Sequence, residues 1–294
     1  MNAPFGRVCT AMITPFDPDG AVDHAMAAAM ARHLVDTGTE GVVVAGTTGE
    51  SPTLSADEKV ALYKTVVDAV GSRATVVAGT GTYDTAESVH LSRRAAEVGC
   101  DALMAVTPYY SRPSQQGLIA HFSAIADSTD LPLLLYNIPS RTGRRIEVDT
   151  LQRLSEHPRI VAVKDAVGDL AFTTETRLAC PDDFAIYSGD DILTLPMMAV
   201  GGVGVVSVAT HLAGKQIRAM VDAFASGDAA EAMRLHLALA PLARAIFIEP
   251  NPQPVKGALN ALWQPVGDPR LPLVPAAAET VSAVKEALAI AQQA

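Results

Sequence analysis

The stretch Gly41-Val42-Val43-Val44-Ala45-Gly46-Thr47-Thr48-Gly49-Glu50 sets the reading of this chain. A short apolar run rich in β-branched residues suits a buried parallel strand. It gives way to a Gly/Thr turn. Ser55-Ala56-Asp57-Glu58 follows and reads as a capping box, with Ser55 as N-cap and Glu58 three residues on. Val60, Tyr63, Val67 and Val70 then recur at helical offsets of three and four. Strand, turn and helix thus form one β-then-α unit.

Working outward, seven more apolar runs mark strands at Val8–Ile13, Ala74–Ala78, Ala102–Val106, Pro132–Tyr136, Ile160–Lys164, Phe184–Ser188 and Val203–Val208. Each is followed by room for a helix, and Asp84-Thr85-Ala86-Glu87 resembles a second capping box. Eight such units predict a (β/α)8 TIM barrel. A doubly wound sheet usually has fewer units, and no G-x-G-x-x-G follows the first strand. The pattern ends near Gly227. Helices near Asp228–Phe247, Pro254–Leu262 and Ala276–Gln293 then form a C-terminal appendage. The expected division is a catalytic barrel over residues 1–227 and a helical appendage over 228–294, with Trp263 packed among the C-terminal helices.

Composition narrows the function. The chain has 294 residues, 49% hydrophobic and only 18% charged, which excludes disorder. Its apolar runs fall short of the roughly 18 residues a spanning helix needs. The net charge of −10 and the lack of any Lys/Arg cluster argue against nucleic acid. An acidic chain that binds an anionic substrate needs local donors: an Arg, a Lys or backbone N–H groups. Cys9, Cys100 and Cys180 are few and widely spaced, without a zinc or redox pattern. With an N-terminus lacking a long apolar segment, they point to a reducing, cytoplasmic location. The seven histidines show no metal spacing, so no metal site is expected.

Active-site groups of such a barrel sit at strand C-termini and in the loops after them. Lys164 closes the sixth run. Partial desolvation there favours a neutral amine able to attack a ketone. A structural lysine paired with Asp165 fits its position equally well. Tyr136 ends the fifth run, as an acid/base group beside Lys164 or as core packing. Thr47 and Thr48 lie in a turn whose N–H groups suit a carboxylate, or in a plain βα turn. Tyr109-Tyr110 reads as an exposed pair or an oligomer contact. Arg141 is a carboxylate clamp or a solvated surface residue.

These segments carry a resemblance. Gly46-Thr47-Thr48-Gly49-Glu50, Tyr109-Tyr110, Tyr136-Asn137-Ile138-Pro139-Ser140-Arg141-Thr142, Val163-Lys164-Asp165, Ser188-Gly189-Asp190-Asp191 and Gly201-Gly202-Val203-Gly204-Val205 stand in family order and spacing. Asn251-Pro252-Gln253-Pro254-Val255-Lys256 adds to them. Over nearly its whole length the chain resembles the 4-hydroxy-tetrahydrodipicolinate (dihydrodipicolinate) synthase family of the N-acetylneuraminate lyase superfamily. The resemblance implies a lyase that condenses pyruvate with L-aspartate 4-semialdehyde, with no cofactor beyond a lysine Schiff base. It implies that Lys164 forms the imine, Tyr136 relays protons, and Thr47 links Tyr136 to a Tyr110 donated across a dimer interface. Thr48 and nearby N–H groups then hold the pyruvate carboxylate, Arg141 binds the second substrate's carboxylate, and Gly189 and Val206 offer backbone carbonyls. A homotetramer, built as a dimer of dimers, is also implied.

Superfamily members acting on sialic acid or 2-keto-3-deoxy sugar acids share the lysine and the tyrosine. Such an aldolase or dehydratase is the alternative; Arg141, the two threonines and Tyr110 favour the synthase. One region departs from lysine-inhibited members. Ala56, Lys59 and Tyr83 stand where those members carry His or Trp and Asn, while Glu87 and Tyr109 remain. Lys59 would repel a bound lysine ammonium, so feedback by lysine is expected to be weak or absent.

Overall fold

The computed structural model describes residues 2–293. Eight strands form its centre: β1 (Val8–Ala11), β2 (Gly41–Val44), β3 (Thr75–Gly79), β4 (Ala102–Val106), β5 (Leu133–Asn137), β6 (Ile160–Asp165), β7 (Ala185–Ser188) and β8 (Gly204–Ser207). All neighbours pair in parallel, and β1 pairs with both β2 and β8, so the sheet closes into the expected barrel.

Helices cover the outside. They are α1 (His24–Asp36), α2 (Ala56–Val70), α3 (Thr85–Glu97), α4 (Gln115–Ala126), the short turn α5 (Pro139–Thr142), α6 (Val148–Ser155), α7 (Leu170–Ala179), α8 (Thr194–Ala199) and α9 (Thr210–Ala225). Three more follow: α10 (Ala229–Ala245), α11 (Gln253–Leu262) and α12 (Ala278–Gln292). Helix α10 packs against α9 and α12.

Two-sided burial explains the near-continuous apolar runs. Alternate residues such as Val43, Val77, Met104, Leu134 and Tyr187 fill the lumen. Their neighbours Val42, Val76, Leu103 and Leu135 face the helices. Phe5 closes the lumen's N-terminal end. Its ring lies 5.9 Å from that of Tyr187, and its N–H donates to the Tyr187 hydroxyl at 3.1 Å.

Two local expectations change. The Ser55 box forms in both directions, with Glu58 N–H donating to Ser55 Oγ at 3.2 Å and Ser55 N–H to Glu58 Oε2 at 2.8 Å. At Asp84 only the aspartate caps, accepting from Ala86 N–H at 2.9 Å, because its own N–H is taken by Thr82 Oγ1 at 3.0 Å. Trp263, at the C-terminal end of α11, lies 4.8 Å from the His33 ring of α1, so its packing extends to a barrel helix.

The C-terminal helices grip the 46–50 turn. Lys256 on α11 sets its ammonium 2.7 Å from Glu50 Oε1, with both side chains 1% exposed. Glu50 Oε2 accepts from the Arg270 N–H at 2.9 Å. The Arg270 guanidinium bonds the carbonyls of Gly20 and Thr53 and pairs with Glu58. Both cations stack on Phe16, at 4.1 and 4.4 Å from its ring centre. Removing one partner of such a pair strands a buried charge. Lys256→Met should therefore lower unfolding stability by about 3–5 kcal/mol. Denaturant melts showing a loss near zero would mean that the Glu50 carboxylate does not depend on this ammonium.

Candidate active site

Strands β5, β6 and β7 place Tyr136, Lys164 and Tyr187 side by side in register. Lys164 is 4% exposed, and its ammonium lies 4.2 Å from the Tyr136 ring centre. Burial pushes its pKa down to about 8; the Asp191 carboxylate opposes this and the Arg141 guanidinium adds to it. The pairing with Asp165 does not form, because adjacent strand residues face opposite ways. Asp165 instead accepts from Thr173 Oγ1 at 2.7 Å and Val167 N–H at 3.0 Å. That leaves Lys164 outside every ion pair among the described residues.

Tyr136 is equally buried. Desolvation pushes its phenol up to about 12, against the opposing pull of Arg141 and of hydrogen bonding by Thr47. Lysine and tyrosine are thus driven in the directions that favour a neutral amine beside a protonated phenol. That combination supplies a nucleophile and a proton donor at one place.

The turn after β2 supplies donors. Ala45 and Glu50, at its ends, have φ of 52° and 56°, left-handed values rare for residues with side chains. The backbone folds so tightly that a Cβ on Gly49 would lie 3.0 Å from Ala45 Cα. Such strain persists where the surroundings over-determine it, and the bonds that Glu50 makes to Lys256 and Arg270 do so here. Within the turn, neither the Thr47 nor the Thr48 N–H is used by a backbone carbonyl among the described residues.

A cavity of about 210 Å³ opens at this end of the barrel, and Gly46, Thr47, Tyr136 and Arg141 line it. Arg141 reaches it from α5 and has no carboxylate within ion-pair distance among the described residues. Lys164 lies one strand beyond the cavity wall, against the Tyr136 ring. Thr48, Gly189 and Val206 are also outside the wall. Thr48 is buried, Gly189 donates its N–H to Asp165 O at 2.8 Å, and Val206 packs within the lumen. Tyr110 is not brought to the site by its own chain. It is 96% exposed on the β4–α4 loop, with φ of 69°. Its neighbour Tyr109 lines the cavity and meets Tyr83 edge to face at 5.2 Å.

Two residues given no role from sequence belong beside these. Asp191 is half-buried at the β7 exit and accepts from Ser207 Oγ and from the Val208 and Ala209 N–H groups at 3.0 and 3.2 Å. Its charge is the main influence holding the Lys164 pKa up. Asn251 donates from the α10–α11 segment to Thr48 Oγ1 at 2.8 Å. The Ser188-Gly189-Asp190-Asp191 stretch marked Asp191 as a strand-end carboxylate. Nothing local could pair Asn251 with a residue 203 positions away.

The chain is similar to known proteins over nearly its whole length. The 4-hydroxy-tetrahydrodipicolinate synthase of Desulforamulus reducens is 54% identical over 96% of this chain and 95% of its own. The crystal structure of a Bacillus anthracis dihydrodipicolinate synthase superposes with a TM-score of 0.95, at 49% identity, covering 98% of this chain and 99% of that one. A Cyanidioschyzon merolae homologue, solved with lysine bound, gives 0.96 at 44% identity, with 99% of each chain covered. The model of the dihydrodipicolinate synthetase family matches residues 4–291, and the chain belongs to that family.

Proposed function

We propose that this enzyme condenses pyruvate with L-aspartate 4-semialdehyde to give 4-hydroxy-tetrahydrodipicolinate, the step that commits carbon to diaminopimelate and lysine. The observation that carries the reading is the buried Lys164, outside every ion pair among the described residues and set against Tyr136, in a chain 54% identical to a named synthase over nearly its full length. The Lys164 amine attacks the pyruvate ketone. Tyr136 donates a proton to the departing hydroxyl, water leaves, and an iminium remains. Loss of a methyl proton gives the enamine, whose carbon attacks the aldehyde. The substrate's own amine then attacks the iminium carbon, closing the ring and freeing Lys164.

In this reading Thr48 and the turn N–H groups hold the pyruvate carboxylate, and Arg141 holds that of the aldehyde. Gly189 and Val206 contribute backbone carbonyls. Thr47 connects Tyr136 to Tyr110 of a second copy, which the outward placement of Tyr110 supports. The working unit is a cytoplasmic homotetramer, a dimer of dimers, needing no cofactor beyond its own imine. The barrel over residues 1–227 carries the chemistry, and residues 228–294 brace it.

Turnover with pyruvate should be found with aspartate semialdehyde and be negligible with sialic acid or 2-keto-3-deoxy sugar acids; the reverse preference would reject the assignment. Borohydride should fix a three-carbon adduct on Lys164. Because only the neutral amine attacks, its initial rate of formation should rise with pH and reach half its plateau near 8. Asp191→Asn removes the charge that opposes deprotonation, so the midpoint should move to lower pH. An unmoved midpoint, read by intact mass after timed quenching, would remove Asp191 from the site's electrostatics.

Light scattering should show at least a dimer, and Tyr110→Phe should lose activity without loss of the oligomer. A fully active monomer would refute the role in trans.

Lys59 occupies α2 with its ammonium buried, and Glu87 is the charge that steadies it against desolvation. A cation already fills this position, so lysine should not half-inhibit below about 1 mM, a few kcal/mol of binding. Inhibition at micromolar lysine would show that Lys59 moves aside.

A further inference from the structure

The hydrogen bond between Asn251 and Thr48 has a direction, and the direction matters. Asn251 Nδ2 stands 2.8 Å from Thr48 Oγ1, and the two residues are 7% and 3% exposed. An amide NH2 group only donates, so the Thr48 oxygen accepts and its own proton must point elsewhere. No acceptor for that proton is present among the described residues. The Thr47 and Thr48 N–H groups also lack a backbone acceptor there. Three donors on one turn, two of them from a buried residue, are thus without an acceptor among the described residues. A buried donor left unpaired is costly, and an anion relieves all three together.

We propose that Asn251 is a positioning residue for pyruvate: by donating to Thr48 it reserves the Thr48 hydroxyl proton for the substrate carboxylate. The inference rests on pyruvate being the first substrate. Its physical content is the choice of an amide. A carboxylate at position 251 would accept from Thr48, turning the hydroxyl so that it presents lone pairs to the incoming anion. Alanine would leave the hydroxyl free to rotate and still donate. The C-terminal segment is well placed for this role. Asn251 fixes the turn at Thr48, while Lys256, five residues on, fixes it at Glu50. Asn251 Oδ1 itself is buried and has no partner among the described residues, so the amide's one polar contact with them is the one to Thr48.

The ordering of two variants tests this. Asn251→Ala should raise the pyruvate KM about three- to tenfold, with kcat held within about twofold. Asn251→Asp, nearly isosteric, should raise it more than alanine does. A merely structural asparagine predicts the opposite order, since the isostere would be the milder change. Repeating Asn251→Asp in a Thr48→Val background separates proton direction from added charge. Its effect there, read as pyruvate dependence of the borohydride-trapped adduct, should shrink several-fold. An effect of full size in that background, or an aspartate variant milder than the alanine one, would overturn the proposal. Should alanine fail to fold, the aspartate variant and its Thr48→Val cycle decide alone. Absence of any pyruvate adduct in the unaltered enzyme would reject pyruvate itself, and the role of Asn251 with it.

Discussion

The structure depends on a dry ion pair between two distant parts of the chain. Glu50 and Lys256 meet with both side chains removed from water, at the seam between the second βα turn and the C-terminal helices. Buried pairs seldom add net stability over well-packed apolar groups. Their value lies in geometry, because neither charge tolerates an alternative position. Here the geometry is that of a turn with left-handed residues at both ends. The same C-terminal segment brings Asn251 and Arg270 to that turn, so the turn beside the cavity is held from outside the barrel.

Within the barrel, desolvation does opposite things to neighbouring groups. It disfavours the ammonium of Lys164 and the phenolate of Tyr136 alike, since both are the charged forms. The result is a lysine that loses its proton more readily than a free one, in contact with a phenol that keeps its own, which is the division of labour that imine chemistry needs. Asp191 keeps the lysine from being driven further, and its own carboxylate is anchored by two backbone N–H groups at the start of the segment leading into α9.

Much of this was legible in the sequence. The eight strands lie within a residue or two of the apolar runs, because burial on both faces leaves no polar interruption to blur them. Lys164 and Tyr136 could be found because a polar residue closing such a run has one destination, the barrel mouth. What was not legible depends on contacts across the chain. Asp165 matched Lys164 on adjacency alone, and strand alternation sends it to Thr173 instead. Thr82 captured the Asp84 N–H that a second capping box required. Trp263 found His33 on α1, across the seam between appendage and barrel. Asn251 carried a recognisable sequence context but no sign of its partner.

Phe5 and its bond to the Tyr187 hydroxyl stopper the far end of the lumen. Packed side chains fill the lumen above them, so the cavity at the opposite end is blind toward the barrel axis. Forming the imine releases a water molecule there, and resolving the imine frees a product larger than either substrate. All of this traffic shares the mouth where Thr47, Tyr109 and Arg141 stand. Substrate seated at that rim would shield the enamine from bulk water, and so favour carbon–carbon bond formation over return to pyruvate.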